Sequence, residues 1–443
     1  MRRINIMKAK AIFFRKIGWR IAFALPLLYC GIKPVYSEDA QQRALVNPGL
    51  VNAFYIARAG NCLWFTPDSS ALDLRRELIW ILEKSITKGL NKEDYHYEYL
   101  KKHLAEEHVP FETLMSYEKT YTDAAVSYMK DIFQGRISGT MISNDELSQK
   151  SEAADNRYIL DLLNRSKNSR ELRDNMEALE PKTLGYSQLI NTLSLTDTSI
   201  DKERLKQLIR ALDYYRWIYH FHFEKCIVVN IASGMLHYYE KDSMILEMKV
   251  VTGKPSTPTP RFATYCNQVI LYPYWNVPQS IALNEILPLC KKGAGVLDFM
   301  NMQVIDAKGN IIDHKALNWK GFSKKNFPYR FRQSTGCDNA LGVIKLNLTS
   351  PYSVYLHDTN MKFAFASTKR YFSHGCIRIE KPVELIEYLL KGDFDEAFLA
   401  ACVRGQKPVV KPVHDPVPVF VIYSTADIQT GTLTYHDDVY DLN

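Results

Sequence analysis

The stretch "YFSHGCIRIEKP", Tyr371 to Pro382, sets a histidine, a glycine and a cysteine in a row between an aromatic pair and the alternating Ile377-Arg378-Ile379 run. A cysteine so placed can be a packed thiol, a metal ligand or a nucleophile. Ser373, His374 and Arg378 are poor company for a dry core, and Gly375 permits a tight backbone that a ligand can approach closely. An ordinary thiol is mostly protonated at neutral pH, so a nucleophile also needs an imidazole to take its proton. Two histidines qualify. His374 lies two residues from Cys376 and, on an extended chain, shares its face without necessarily reaching the sulfur. His357 ends the stretch "SVYLHD", where a neighbouring strand can carry it across to Cys376, and it is the favoured base. A metal site of His357, His374 and Cys376 is the rival. Its spacings of 17 and 2 residues match no compact zinc pattern, there is no HExxH pair, and no metal is expected. Papain-type chemistry is disfavoured because the cysteine comes late, with its histidine upstream.

These residues need strands to hold them. From Glu224 onward, "KCIVVNIASGMLHYYEKDSMILEMKVVTGK" carries β-branched runs around Ser233-Gly234 and a second turn at Lys241 to Ser243, which predicts consecutive antiparallel strands. "PSTPTP" makes a rigid corner before the strand-like "QVILYPYWNVP". Pro278 to Arg332 then interrupts the β pattern and reads as a lid. Strands resume at "GVIKLNL" and "YSVYLHD". "KPVELIEYLLKG" predicts an amphipathic helix ended by Gly392, and the tail holds late strands in "PVPVFVIYSTADI" and "GTLTYHDDVY". Upstream, Ala40 to Tyr219 is mostly helical in spacing. Leu74, Leu78, Ile79, Leu82 and Ile86 recur at three and four residues before a stop at Gly89. Further helices are predicted near Thr113 to Phe133, Arg157 to Leu163 and Asp201 to Trp217. This helical part carries no chemistry of its own and reads as a structural or docking module.

The 443 residues, 46% of them hydrophobic and 24% charged, suit two or three folded domains. The net charge of +7 does not imply nucleic acid. Eight basic residues, from Arg2 to Lys33, precede the first acidic residue at Glu38, and without residues 1–37 the charge is −1. That leader has a basic start, the apolar "IAFALPLLYCGI" and then "VYS", and it predicts a cleavable secretory signal and a periplasmic protein. An uncleaved inner-membrane anchor is the alternative, although the apolar run is shorter than the ~20 residues that span a bilayer. No later segment is apolar for that length, so no membrane span is expected in the mature protein. Seven cysteines remain after Cys30 leaves, an odd number without a CxxC pair, and their pairing is left open. No nucleotide-binding glycine loop is present, and no cofactor is expected.

With His357 followed by "SHGCIR", the chain resembles the L,D-transpeptidases, bacterial cell-wall enzymes. The resemblance runs from about Glu224 to the C-terminus through "VTGKPSTPTP", "YPYWNVPQSI", "RQSTGCDNALG", "VYLHDT" and "FSHGCIRIEKP". It is strongest toward the large periplasmic members. The implied fold class is multidomain α+β: a signal peptide at 1–37, a helical scaffold domain at 38–223, and a mostly β catalytic domain at 224–403 with a capping insertion at 279–331. A C-terminal extension at 404–443 would pack on the catalytic domain. Carried over by resemblance, Cys376 is the nucleophile and His357 the general base, with backbone N–H groups around Gly375 and Cys376 holding the oxyanion. Arg378, Tyr355, Trp275, Ser373, His374, Gly375 and Asn339 are implied on the substrate side. The implied substrates are peptidoglycan stem peptides, a tetrapeptide donor and a meso-diaminopimelate acceptor, joined 3 to 3 with loss of D-alanine; the oligomeric state is left open. Carboxypeptidase, D-amino-acid exchange or lipoprotein attachment by the same thioester is the alternative, and a silent wall-binding scaffold a further one. Three departures stand out. The usual small peptidoglycan-binding module has no room, the "LPxRY" bend is replaced by "YHFHFEK", and Asn360 follows "HDT" where proline is usual.

Overall fold

The computed structural model describes residues 44–443 apart from 107, 138–144, 197–200, 242, 430 and 443, and apart from the side chains of 145–151. The leader, with Cys30 and the expected cleavage site, lies outside the described residues.

Eight helices come first: α1 (Pro48–Ala57), α2 (Ser70–Lys84), α3 (Tyr97–Lys102), α4 (Phe111–Gln134), α5 (Asp145–Arg165), α6 (Ser169–Glu177), α7 (Leu184–Leu195) and α8 (Lys202–Tyr219). The apolar stripe read in α2 buries Leu74, Leu78 and Leu82 against Tyr121, Ala125 and Met129 of α4. Past α2 a 3-10 turn, Ser85–Lys88, runs into Gly89 at φ 71°, the left-handed stop that glycine supplies. Side-chain caps start three of the later helices: Asn168 accepts from the Glu171 N–H, Thr183 from Tyr186 and Asp201 from Arg204. Among the described residues no helix is long and apolar enough to cross a membrane.

The β part comprises β1 (Lys225–Asn230), β2 (Met235–Glu240), β3 (Ser243–Gly253), β4 (Phe262–Leu271), β5 (Trp275–Asn276), β6 (Met302–Ile305), β7 (Ile311–Ile312), β8 (Arg330–Gln333), β9 (Ile344–Leu348), β10 (Leu356–His357), β11 (Tyr371–Ser373), β12 (Ile377–Ile379), β13 (Val409–Ile422), β14 (Ala426–Gln429) and β15 (Thr432–Tyr435). Nine of these form one sheet in the order β11-β3-β12-β10-β9-β4-β13-β1-β2, and β2 also pairs with β3, so the sheet closes on itself. Closure leaves few unpaired edges. The inward side chains, among them Ile227, Val250, Val269, Leu346, Leu356 and Val419, make the main core. The helix Pro382–Leu390 inserts Leu385, Ile386 and Leu389 into that core. It ends on Lys391 at φ 53° followed by Gly392 at φ 78°.

Two expectations need correction. The segment 404–443 is not an extension laid on a finished domain. Its β13 sits between β4 and β1, parallel to β1 and antiparallel to β4, and the sheet cannot close without it. The strand expected over "YSVYLHD" shrinks to Leu356–His357, because Ser353 takes φ 52° and breaks the extended chain just before it.

Between β5 and β8 the insertion builds its own small unit: short helices at Gln279–Ile281, Leu287–Lys292 and Gly295–Phe299, a π-helical turn at Ala282–Ile286, and a four-stranded sheet in the order β5-β8-β6-β7. It has a separate core around Ile286, Leu297, Val304, Trp319 and Phe331.

Candidate active site

Residues alternate faces along a strand. Leu356, Ile377 and Ile379 are fully buried in the main core, so Tyr355, His357, Cys376 and Arg378 face the other side of the sheet. β10 and β12 run parallel, with Leu356 opposite Ile377 and His357 opposite Arg378. The Ile377 N–H donates to the Tyr355 carbonyl at 3.1 Å, which seats Cys376 beside Tyr355. Twenty-one residues after His357, the chain thus returns opposite it at Arg378, just past Cys376.

The turn that carries Cys376 is held from within and from outside. Ser373 Oγ donates to the Cys376 carbonyl at 2.6 Å and accepts the Gly375 N–H at 3.0 Å. Gly375 sits at φ 114°, where side chains are rarely tolerated. Thr259 Oγ1 donates to the Gly375 carbonyl and accepts the Gly253 N–H, both at 2.9 Å, and the Lys254 N–H donates to the Ser373 carbonyl at 3.0 Å. The rigid "PSTPTP" corner is therefore a clamp on the cysteine turn. Because the Gly375 N–H is given to Ser373, it is not free for an oxyanion in this conformation. The Cys376 N–H is the remaining candidate of the two.

His357 is 4% exposed and donates Nδ1–H to the Asp358 carbonyl. A carbonyl only accepts, so the proton is on Nδ1 and Nε2 keeps its lone pair. Burial first, then the charges of Arg378 and Lys345, lower the imidazole to about 3, against an opposing push from the Asp358 bond. Burial raises the half-buried Cys376 thiol, and the Tyr355 N–H and hydroxyl, Lys345 and Arg378 offset part of that rise. At neutral pH the two groups rest as thiol and neutral imidazole. Such a pair has the protonation states of a nucleophile awaiting a base, and is not a preformed ion pair.

Residues 224–414 match the family model for the L,D-transpeptidase catalytic domain, and residues 49–193 match a Scaffold domain. A Haemophilus influenzae protein that carries the L,D-transpeptidase name is 31% identical over 299 residues, 67% of this chain and 58% of the relative. The chain carries an L,D-transpeptidase catalytic domain behind a scaffold domain. It spans 58% of the length of that curated relative. Solved structures of a Mycobacterium smegmatis L,D-transpeptidase (14% identical, 45% of this chain and 58% of that one, TM-score 0.20) and of the Enterococcus faecium catalytic domain (17%, 45% and 99%, TM-score 0.20) are also similar.

Within this L,D-transpeptidase catalytic domain the other expected residues divide. Tyr355 touches both Cys376 and His357: its hydroxyl bonds Cys376, burial pushes that hydroxyl far above the usual phenol range, and its ring meets His357 edge to face at 5.6 Å between centroids. Arg378 lies beside both Cys376 and His357. Ser373 and Gly375 shape the turn. His374 is exposed, and its Nε2 lies 2.9 Å from Glu285 on the π-helical turn of the insertion, tying the cysteine turn to the lid. Trp275 belongs to the lid's own sheet, paired with Gln333. Asn339 does not fit its expected substrate role. It is 0% exposed, its amide nitrogen donates to the Pro273 and Ser334 carbonyls, and its oxygen accepts the Leu341 N–H, so it pins a turn.

Lys345 was missed. It lies opposite His357 on β9 and is half-buried, with its ammonium 4.1 Å from the Tyr355 ring centroid. The signal was a lysine alone among Ile344, Leu346 and Leu348 on a strand next to the base. Cys337 and Cys402 form a disulfide, and Cys62, Cys226, Cys266, Cys290 and Cys376 lie outside it. A disulfide suits an oxidising, extracytoplasmic setting.

Proposed function

We propose that this protein is a periplasmic L,D-transpeptidase that forms 3 to 3 cross-links between peptidoglycan stems, with Cys376 as nucleophile and His357 as base. The observation that carries the reading is the parallel pairing of β10 with β12, which brings a neutral imidazole with a free Nε2 beside a cysteine on a clamped turn. Cys376 Sγ attacks the carbonyl carbon of the donor's third residue while its proton passes to His357 Nε2. The C–N bond to D-alanine breaks, D-alanine leaves with that proton, and a thioester remains. The side-chain amine of a second stem then attacks the thioester carbonyl and gives its proton to His357. The new amide forms, and the sulfur regains the proton as it departs. The Cys376 N–H is the oxyanion donor within reach of this turn; losing one such donor typically slows acyl transfer by ~10²-fold or more. The capping insertion, linked to the turn through Glu285 and His374, keeps water from the thioester until an amine arrives.

The test is incubation of purified protein with disaccharide-tetrapeptide, followed by mass spectrometry. Cross-linked dimer with free D-alanine is the expected product. Tripeptide alone would make the protein a carboxypeptidase, and no conversion would sink the enzymatic reading.

A further inference from the structure

We propose that Lys345 and Arg378 together form a cradle for a carboxylate of the acyl donor, a specificity element beside the nucleophile. The proposal rests on the transpeptidase reading above and names what that site recognises.

Strand register places the two cations. His357 on β10 stands directly opposite Lys345 on β9 and directly opposite Arg378 on β12. Neighbouring strands lie about 4.8 Å apart, so these two long side chains rise from either side of the imidazole on the face that holds Cys376. Both are half-buried. Neither forms an ion pair with a carboxylate among the described residues; the Lys345 ammonium rests on the Tyr355 ring, and the Arg378 guanidinium touches Met361 Sδ at 3.6 Å. Arg378 Nε is buried with no hydrogen-bond partner.

Two part-desolvated cations without a counter-ion are costly, and a buried guanidinium N–H left unpaired adds to that cost. Burial lowers both pKa values, as expected for charges that lack an anion. The resting thiol cannot neutralise them, because burial keeps Cys376 protonated. The missing charge is therefore external. The fork of an arginine and the point charge of a lysine suit a carboxylate. Two of the donor's carboxylates lie near the scissile bond: the C-terminal carboxylate of the leaving D-alanine, three bonds from the scissile carbonyl carbon, and the free carboxylate on the side chain of the third residue.

The experiment compares acylation of the full-length protein by three tetrapeptide donors: the free acid, the acid amidated on D-alanine, and the acid amidated on the third residue's side chain. Wild type, Lys345→Met and Lys345→Arg are measured with each, after circular dichroism confirms folding. The recognised carboxylate is the one whose amidation lowers kcat/KM of wild type by roughly 10- to 100-fold, the loss of one charged hydrogen-bonding partner. Lys345→Met should lose a similar factor on the acid and little more on that amide, and Lys345→Arg should restore part of it. An equal loss on all three donors would overturn the cradle and make Lys345 a support for the thiolate or oxyanion. If wild type acylates with no donor, the reaction reading falls separately. Binding to Cys376→Ala protein then decides the cradle: preference for acid over amide that Lys345→Met abolishes supports it, and equal binding overturns it.

Discussion

Cys376 and His357 are perturbed in opposite directions, and the sign of each shift sets the pH behaviour of the pair. The thiol is raised, so the thiolate is scarce at rest; the imidazole is lowered to about 3, so it is a competent acceptor everywhere above that value. Nitrogen NMR should find the His357 ring neutral and protonated on Nδ1 from about pH 8 down to about pH 5, and acylation by a carbapenem should stay nearly level over that span before falling as the ring protonates. An imidazolium signal from His357 at pH 6 would contradict this. Cys376→Ala should give no adduct while keeping its fold. His357→Gln should slow acylation by roughly 10²- to 10⁴-fold, the usual worth of a positioned base. His374→Gln, which loses only an exposed contact to the lid, should be milder. The reverse order would mean that the wrong histidine has been taken as base.

At the scale of elements, the turn leading into β9 aims the base. Gly342 has φ 59°, and a side chain there would place its first carbon 2.2 Å from Asp358 Oδ2. Asp358 accepts the Val343 N–H at 3.0 Å through that oxygen, and its carbonyl holds His357 Nδ1. Gly342→Ala should therefore cost roughly 1–3 kcal/mol of stability in backbone strain and displaced contacts. It should also slow acylation, read as a lower melting temperature together with a lower adduct rate. Unchanged acylation would show that Asp358 does not orient the ring. The insertion acts differently, since it has its own core and reaches the cysteine turn through Glu285. Deleting 279–331 should impair cross-linking more than carbapenem acylation, because water then competes with the amine for the thioester. Dimer, tripeptide and adduct yields measured side by side would show equal losses if the insertion served only folding.

For the whole molecule, the distribution of its cysteines decides selectivity and stability together. Cys266 and Cys290 are buried in apolar surroundings that push them up to about 12 and about 11, and Cys337 and Cys402 are locked to each other. Peptide mapping after carbapenem exposure should find the adduct at Cys376 alone. The disulfide joins residues 65 positions apart, clamping the Asn339 turn to the chain that enters β13. In the chain-entropy picture, a loop of that size implies about 4 kcal/mol of stabilisation. The double variant Cys337→Ser with Cys402→Ser should melt well below wild type, whereas an unchanged melting point would mean that the packed neighbours already hold that turn.

Local pattern and residue chemistry made a good part of this protein legible from its sequence. Apolar spacing in Leu74, Leu78 and Leu82 marked a helix, β-branched runs around Ser233-Gly234 marked strands, and His357 followed by "SHGC" marked the pair proposed to react, because these signals are carried by short stretches of the chain. Closure of the sheet was not legible, since β13 finds its place by pairing with β1 and β4, far away in sequence. Neither was the burial of Asn339, which looks like any loop polar residue until Pro273 and Ser334 close over it. Lys345 was passed over for the same reason: a lysine alone on an apolar strand stands out, but it marks no site until the register sets it opposite His357. The sequence by itself determined the elements and the chemistry available to them. Only the tertiary structure decided which strands are neighbours, and thereby which charges and which buried surroundings hold His357 as a neutral base and Cys376 as a thiol.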